Sequence, residues 1–362
     1  MKIIKLTAII SSCVLSLMGF CSCSSSDSDS ISKSSTTMPE AEKVTIDKGT
    51  MHGYTAAELI SQMKTGWNLG NSLDSLGGGE TAWGNPETTQ QLVDIIRDGG
   101  FDIIRIPVTW AEHMEGAPDY TINPDFMDRV NEVVDYAIAD DMYVILEIHH
   151  EPDSWLIPDS GHMAEVEPQF TALWQQIAER FSDYGDKLIF ESMNEPRVKG
   201  EPHEWTGGNE DERKCVNQLN RIFVDTVRAS GGNNLERLLL ITTHAQAVTE
   251  SAIAGLELIE DEYVGVSLHA YIPYSFCYHS GESYETFAWD GSENGQVDYV
   301  FDLIDKYITS SGFPVMITEY GAEFKVVDGK YNTGEIAKWI TYFLGKANEL
   351  NIPCVIWDNN ER

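Results

Sequence analysis

The chain has 362 residues, 42% hydrophobic and 23% charged, enough to bury a large core in one domain or in two small ones. Asp and Glu number 58 against 24 Lys and Arg, a formal net charge of −34; such a surface repels phosphate backbones and anionic membranes, which excludes nucleic acid and strongly acidic polymers as partners. Aromatic residues make up 10% and include nine Trp, which suits stacking on flat neutral ligands as well as core packing.

Met1, Lys2 and Lys5 form a short basic region before the apolar stretch from Leu6 to Phe20, which is too short and too Ser-interrupted to span a bilayer. Residues 1–23 therefore read as an export signal. Cys21 and Cys23 follow in "GFCSCSSSDSDS", and a Cys closing an apolar export segment resembles a bacterial lipoprotein acylation site. Cys23 is preferred to Cys21 because Ser22 precedes it; soluble secretion is the alternative. Residues 24–50, rich in Ser, Asp and Thr without apolar period, read as a disordered tether that makes the lipid anchor the only membrane contact. Beyond the signal only Cys215, Cys277 and Cys354 remain, so no disulfide framework is expected. With no CxxC or HExxH spacing, no metal site is expected either.

From residue 51 onward the pattern is regular. Thr55 in "YTAAEL", with Glu58 three residues later, forms a capping box that opens a short helix. Eight short apolar or β-branched runs follow, at 65-TGWNLG, 102-DIIRIPV, 142-MYVILEIHH, 187-KLIFESMNE, 238-LLLITTH, 263-YVGVSLHAY, 314-PVMITEY and 353-PCVIWD. Segments with helical period separate them, the one between 244 and 262 being the shortest. This alternation predicts a (β/α)8 TIM barrel over residues 51–362. An open doubly wound sheet competes, but no GxGxxG follows the first strand. The sequence ends four residues after Asp358, leaving no room for a helix after the eighth strand, and a truncated fragment is the expectation.

Barrel enzymes carry their reacting groups at the C-terminal ends of the strands. Here those ends hold Asn68 and Asn71, Arg105, His149 and His150, Asn194 and Glu195, His244, His269 and Tyr271, Glu319 and Tyr320, and Trp357. Two are carboxylates on opposite sides of the mouth, Glu195 after strand four and Glu319 after strand seven. Glycoside cleavage with retention needs such a pair about 5–5.5 Å apart. Strand parity groups Glu319 with Ile317, and Arg105 can reach Glu319 from inside the barrel and keep it anionic, as a nucleophile requires. Glu195, beside His269 and the neutral Asn194, is expected to keep a raised pKa and serve as acid and then base. Glu147 and Glu191 share inward parity but lie deeper, as internal hydrogen-bond partners.

The ordered motifs "GWNLGNSLD", "RIPVTW", "IHHEPDSWL", "SMNEP", "VSLHAY", "ITEYGA" and "VIWDN", over about residues 55–360, resemble glycoside hydrolase family 5, the endo-β-1,4-glucanases and relatives. The resemblance implies Glu195 as acid/base and Glu319 as nucleophile, with Arg105 and Tyr271 steadying it. It also implies Asn194 on the 2-hydroxyl of the reacting sugar, His150 and His269 on sugar or acid/base, Asn71 and Asp74 on the glycone side, and Trp357 as stacking floor. Glu147 departs from the Asn or Asp expected at its position. His149 is expected to serve the site rather than the core, while His244 has less support. Trp155 either stacks on the aglycone side or pins its loop; Trp67, Trp110, Trp174, Trp205 and Trp339 are expected to be packing. The expectation is a cofactor-free, monomeric retaining endo-β-1,4-glucanase acting on neutral β-glucan outside a bacterial cell. Its rivals are a xyloglucanase or β-mannanase on the same barrel and a non-catalytic glycan-binding lipoprotein.

Overall fold

A computed structural model of the chain describes residues 46–278, 281 and 283–358. The export segment, both candidate acylation cysteines and the tether up to residue 45 lie outside the described residues. Residues 46–50, expected as the end of the tether, run along the foot of the barrel: Gly185 N–H donates to the Lys48 carbonyl, and Lys48 Nζ pairs with Asp183 at 2.9 Å.

In chain order the elements are α1 (Ala56–Ile60), β1 (Thr65–Asn68), α2 (Gln90–Asp98), β2 (Ile103–Ile106), α3 (Pro124–Ala139), β3 (Tyr143–Glu147), α4 (Met163–Arg180) and β4 (Leu188–Glu191). They continue with α5 (Glu210–Ala229), β5 (Leu239–Thr242), α6 (Glu250–Ala254), β6 (Val264–His269), α7 (Tyr274–Cys277), α8 (Asn294–Tyr307), β7 (Val315–Tyr320), β8 (Val326–Val327), β9 (Lys330–Tyr331), α9 (Thr333–Glu349) and β10 (Cys354–Ile356). Eight strands close a parallel barrel in the order β1 to β7, then β10, which returns to β1. This is the expected (β/α)8 fold, with every strand where the apolar runs lie. The antiparallel hairpin β8–β9, in the loop after β7, was not expected. Among the described residues no helix is long and apolar enough to cross a membrane.

Local chemistry starts the helices where the sequence suggests. Thr55 and Glu58 form the capping box of α1, Asn209 and Glu212 that of α5, and Asn123 caps α3 with Pro124 at its first position. The core has two parts. Ile103, Ile145, Ile189, Leu240, Met316 and Val355 fill the inside of the barrel, closed at the foot by Leu59, Ile60 and Met63 around α1. A larger apolar layer fills the space between strands and helices, with Trp110, Trp174, Phe190, Phe223 and Trp339 among its fully buried members.

One residue further up each strand pair the interior turns polar. Arg105, Glu147 and Glu191 stand two residues after Ile103, Ile145 and Ile189, so the strand period of two aims them into the barrel. On β7 the same period selects Met316 and Thr318, and Thr318 Oγ1 donates to Glu191 at 2.8 Å. Ile317 packs in the outer layer. The parity argument for Glu319 was therefore mistaken. Glu319 reaches the mouth because the ladder slips: the register shifts between Leu268 and His269 and again between Cys354 and Ile356.

Candidate active site

The site is organised by one buried guanidinium. Arg105 is wholly buried; Nε donates to Glu191 Oε2 at 2.6 Å, Nη1 to Glu319 Oε1 at 2.7 Å and Asn68 Oδ1 at 3.1 Å, and Nη2 to Asn194 Oδ1 at 3.0 Å. Glu147 stands 3.6 Å from Nη2. Burial disfavours the charge, but Glu191, Glu147 and Glu319 outweigh it and lock the arginine in its charged form. The deeper carboxylates behave as the inward parity implied. Arg105 holds Glu191 below the usual carboxylate range against the effect of burial, while burial pushes Glu147 well above it.

Above this layer Glu195 and Glu319 face each other. An oxygen from each carboxylate and a ring nitrogen of His269 all lie within 4.8 Å of one another. Tyr271 Oη donates to Glu319 Oε2 at 2.8 Å, and its own ionisation is suppressed by burial and by the Glu319 charge. His269 Nδ1 lies 3.1 Å from Glu195 Oε1 and 3.5 Å from Glu319 Oε2. Glu195 takes a left-handed backbone, φ 43°, which turns its side chain back over the mouth after β4.

The acidities differ from the sequence-based expectation. Burial raises Glu195, but the hydrogen bond and charge of His269, with Arg197 and Arg105, outweigh it and hold the carboxyl below its ordinary value. Burial, together with the Glu195 charge, pushes Glu319 above its ordinary value despite His269, Arg105 and Tyr271. Their surroundings thus favour the proton on Glu319 over Glu195. The two carboxylates titrate as a pair, so the first to ionise raises the other. What separates them is their partners: the Arg105 guanidinium and the Tyr271 phenol both donate to Glu319, whereas Glu195 lies beside His269 and Arg197.

On the β1–β3 side the structure gathers Asn71, Asp74, His149, His150 and Trp357. Asp74 is wholly buried and accepts from the backbone N–H of Ser72 at 2.6 Å and of Asn71 at 3.1 Å, which fixes the loop after β1. Burial raises its pKa to about 6. His149 Nδ1 lies 2.6 Å from Glu147 Oε1, and its ring stacks on Trp357 with centroids 5.6 Å apart. Gly70 makes room for that tryptophan, since a Cβ there would stand 2.8 Å from its ring. Asp74, His149 and His150 each offer a donor atom within 4.8 Å of the others, a cluster no sequence spacing revealed because Asp74 comes from the loop after β1. Trp155 is half-buried, packed against the core, and its buried Nε1 has no hydrogen-bond partner among the described residues. His244 lies 3.1 Å from Glu212 and burial lowers its pKa to about 4; it belongs to the α5 terminus.

Sequence reasoning missed four groups. Gln246, wholly buried, accepts the Glu195 backbone N–H at 2.9 Å and donates to Glu191 Oε1 at 2.8 Å. Arg197 Nη1 donates to the Glu195 carbonyl at 2.9 Å and lies 3.6 Å from its carboxylate. Trp205, expected in the core, is 54% exposed and lies over the Arg197 guanidinium at 4.2 Å. Trp83, 43% exposed, tilts against His150 with centroids 5.5 Å apart. Only Arg197 had a sequence signal, its place directly after "NEP".

Known proteins match this arrangement across the barrel. Residues 64–362 fit the family model for cellulase, glycosyl hydrolase family 5. Endoglucanase A of Ruminococcus albus is 49% identical over 317 residues, covering 86% of this chain and 85% of that protein. A xyloglucan-specific endo-β-1,4-glucanase from a metagenomic library, solved in complex with cellotriose, superposes with a TM-score of 0.82 at 45% identity, over 85% of this chain and 90% of that one. A broad-specificity endoglucanase from Clostridium acetobutylicum gives a TM-score of 0.80 at 38% identity, over 85% of this chain and 91% of that one. A match that spans the barrel and relatives this similar lead to one conclusion: the chain belongs to glycosyl hydrolase family 5, and it is a glycoside hydrolase of the endo-1,4-β-glucanase type.

Proposed function

We propose that this endoglucanase works with retention by double displacement. Glu319 attacks the anomeric carbon while the Glu195 proton passes to the leaving oxygen. The Glu195 carboxylate then takes a proton from the water that displaces Glu319 from the same carbon. The observation that carries this reading is the asymmetry of support: Arg105 and Tyr271 both donate to Glu319, while Glu195, within 4.8 Å, faces only His269 and Arg197. Substitution separates the roles. Glu319→Ala should lose turnover on every substrate. Glu195→Ala should still be glycosylated by aryl glycosides with acidic phenols and should recover turnover with azide, giving the β-glycosyl azide. An α-azide, or β-azide rescue in Glu319→Ala instead, would overturn the assignment.

The substrate is a neutral β-glucan, and xyloglucan is a second reading favoured by the similarity to the xyloglucan-specific relative. Product analysis on cellulose derivatives, mixed-linkage glucan, xyloglucan and mannan decides between them. We further propose an exported enzyme that acts as a monomer, anchored by lipid on Cys23 through the tether. Cys23→Ser should release it from membranes of a bacterial host, and an unchanged membrane fraction would refute the anchor.

A further inference from the structure

We infer that Asp74, His149 and His150 form a binding site for a divalent transition cation of the zinc class, and that the cation competes there with glucan. Each residue presents a donor atom within 4.8 Å of the other two, and His150 Nε2 lies 4.0 Å from Asp74 Oδ2. Two imidazoles and one carboxylate with open positions is a donor set that suits zinc.

The surroundings are those of a ligand set rather than of incidental histidines. Ligating histidines direct their other ring nitrogen at a carboxylate, which fixes the ring and its tautomer. The His149 ring does so here. His149 Nδ1 lies 2.6 Å from Glu147 Oε1, which leaves Nε2 for a cation, and His150 Nδ1 lies 3.6 Å from Asp153 Oδ2. The Glu147 side chain is wholly buried, and its other oxygen, Oε2, has no hydrogen-bond partner. Asp74 is held by two backbone N–H groups and points a fixed oxygen at His150.

Donors about 2.0–2.1 Å from a tetrahedral ion stand about 3.3 Å apart, so the His150–Asp74 pair at 4.0 Å must close by about 0.7 Å and a pair at the 4.8 Å limit by about 1.5 Å. His150 can make that movement, because its side chain is 23% exposed and its contacts with Asp74 and Asp153 are long. Trp357 stacks on His149 and Trp83 tilts on His150, so an ion bound here occupies the floor over which a sugar would lie. That part of the inference rests on the reading of this corner as the glycone side.

The test measures binding apart from turnover. Zn2+ is titrated calorimetrically into the full chain carrying Glu319→Ala, and Co2+ absorption reports the coordination. One equivalent is expected, weakened at least tenfold by His150→Gln, His149→Gln or Asp74→Asn, and about 10-fold or more by Glu147→Gln through the second carboxylate shell. Thiols near the N-terminus are common to all variants, so only differences between variants count. His150→Gln, at a partly exposed position, serves as the variant least able to disturb folding. Binding that survives both His150→Gln and Asp74→Asn undiminished would overturn the site, as would the lack of any saturable equivalent. Saturating cellotriose should abolish the equivalent, and undiminished Zn2+ binding in its presence would overturn competition. Wild-type hydrolysis by Glu319→Ala would sink the double-displacement reading and leave the calorimetric result standing.

Discussion

Arg105 Nη1 donates to Glu319 Oε1 at 2.7 Å, and the same guanidinium spends its Nε on Glu191 and its Nη2 on Asn194. One planar cation thus fixes a carboxylate at the mouth, a carboxylate inside the barrel and an amide beside the acid. Lysine carries the charge but not the fork. Arg105→Lys is expected to lower kcat by about 10²–10³, the usual loss for one preorganised donor. Denaturant unfolding should show a separate cost of about 3–5 kcal/mol, because Glu191 loses a buried partner. A kcat within threefold of wild type would mean that Arg105 serves folding alone.

The pH profile of kcat/KM distinguishes the partners of Glu319 from those of Glu195. The reaction requires Glu319 ionised and Glu195 protonated, one proton on the pair; the lower step, weighted to Glu195, sets the acid limb and the higher step, weighted to Glu319, the basic limb. The Tyr271 hydrogen bond lowers Glu319; Tyr271→Phe removes that effect, the Glu319 pKa rises, and the basic limb moves to higher pH while the acid limb stays nearly in place. His269 lowers both carboxylates, so His269→Asn should move both limbs upward. A downward shift in either variant would contradict the proton placement derived from these contacts.

How far the sequence foretold this site depends on where the backbone stays regular. Arg105, Glu147 and Glu191 lie inside strands, and the period of two places them correctly. Glu319 and Glu195 lie where that period breaks, one at a slipped register and the other at a left-handed turn. Their residue types and motifs identified them; alternation did not. Their relative acidity was illegible because it depends on distances to His269 and Arg197 that no periodicity encodes. Gln246 stayed hidden for a related reason: Ala245 and Gln246 both adopt positive φ, so a residue beyond β5 turns back into the barrel. Trp205 illustrates the opposite failure, since composition makes burial the default for tryptophan and only the loop's course exposes it.

Gln246 bridges the backbone of Glu195 and the side chain of Glu191 from a wholly buried position. Gln246→Leu keeps roughly the same volume while orphaning the Glu195 N–H and leaving Glu191 Oε1 with Thr318 Oγ1 as its donor. An orphaned group costs about 1–3 kcal/mol, so the unfolding free energy should fall by at least that much. The left-handed turn at Glu195 also loses its anchor, so kcat should fall more than KM rises. Stability and kcat both unchanged would show that water or another side chain replaces the bridge.

The last prediction concerns the acceptor side of the cleft. Arg197 donates to the Glu195 carbonyl and lies 3.6 Å from its carboxylate, which places it beside the group that protonates the departing sugar. Trp205 rests one face on Arg197 at 4.2 Å and is 54% exposed, so its other face is available to a ring beyond the cleavage point. An aromatic contact is worth about 0.5–1.5 kcal/mol. Trp205→Ala should therefore lower kcat/KM on cellohexaose about 2- to 12-fold, and Trp205→Phe should restore most of it. An aryl cellobioside, with no sugar past the scissile bond, should respond less than the hexaose. Arg197→Met tests the link to the acid. Arg197 lowers Glu195, so its loss should raise the Glu195 pKa and carry the acid limb of kcat/KM upward. Equal losses on both substrates in Trp205→Ala would place this tryptophan in support of the Glu195 loop rather than under the acceptor.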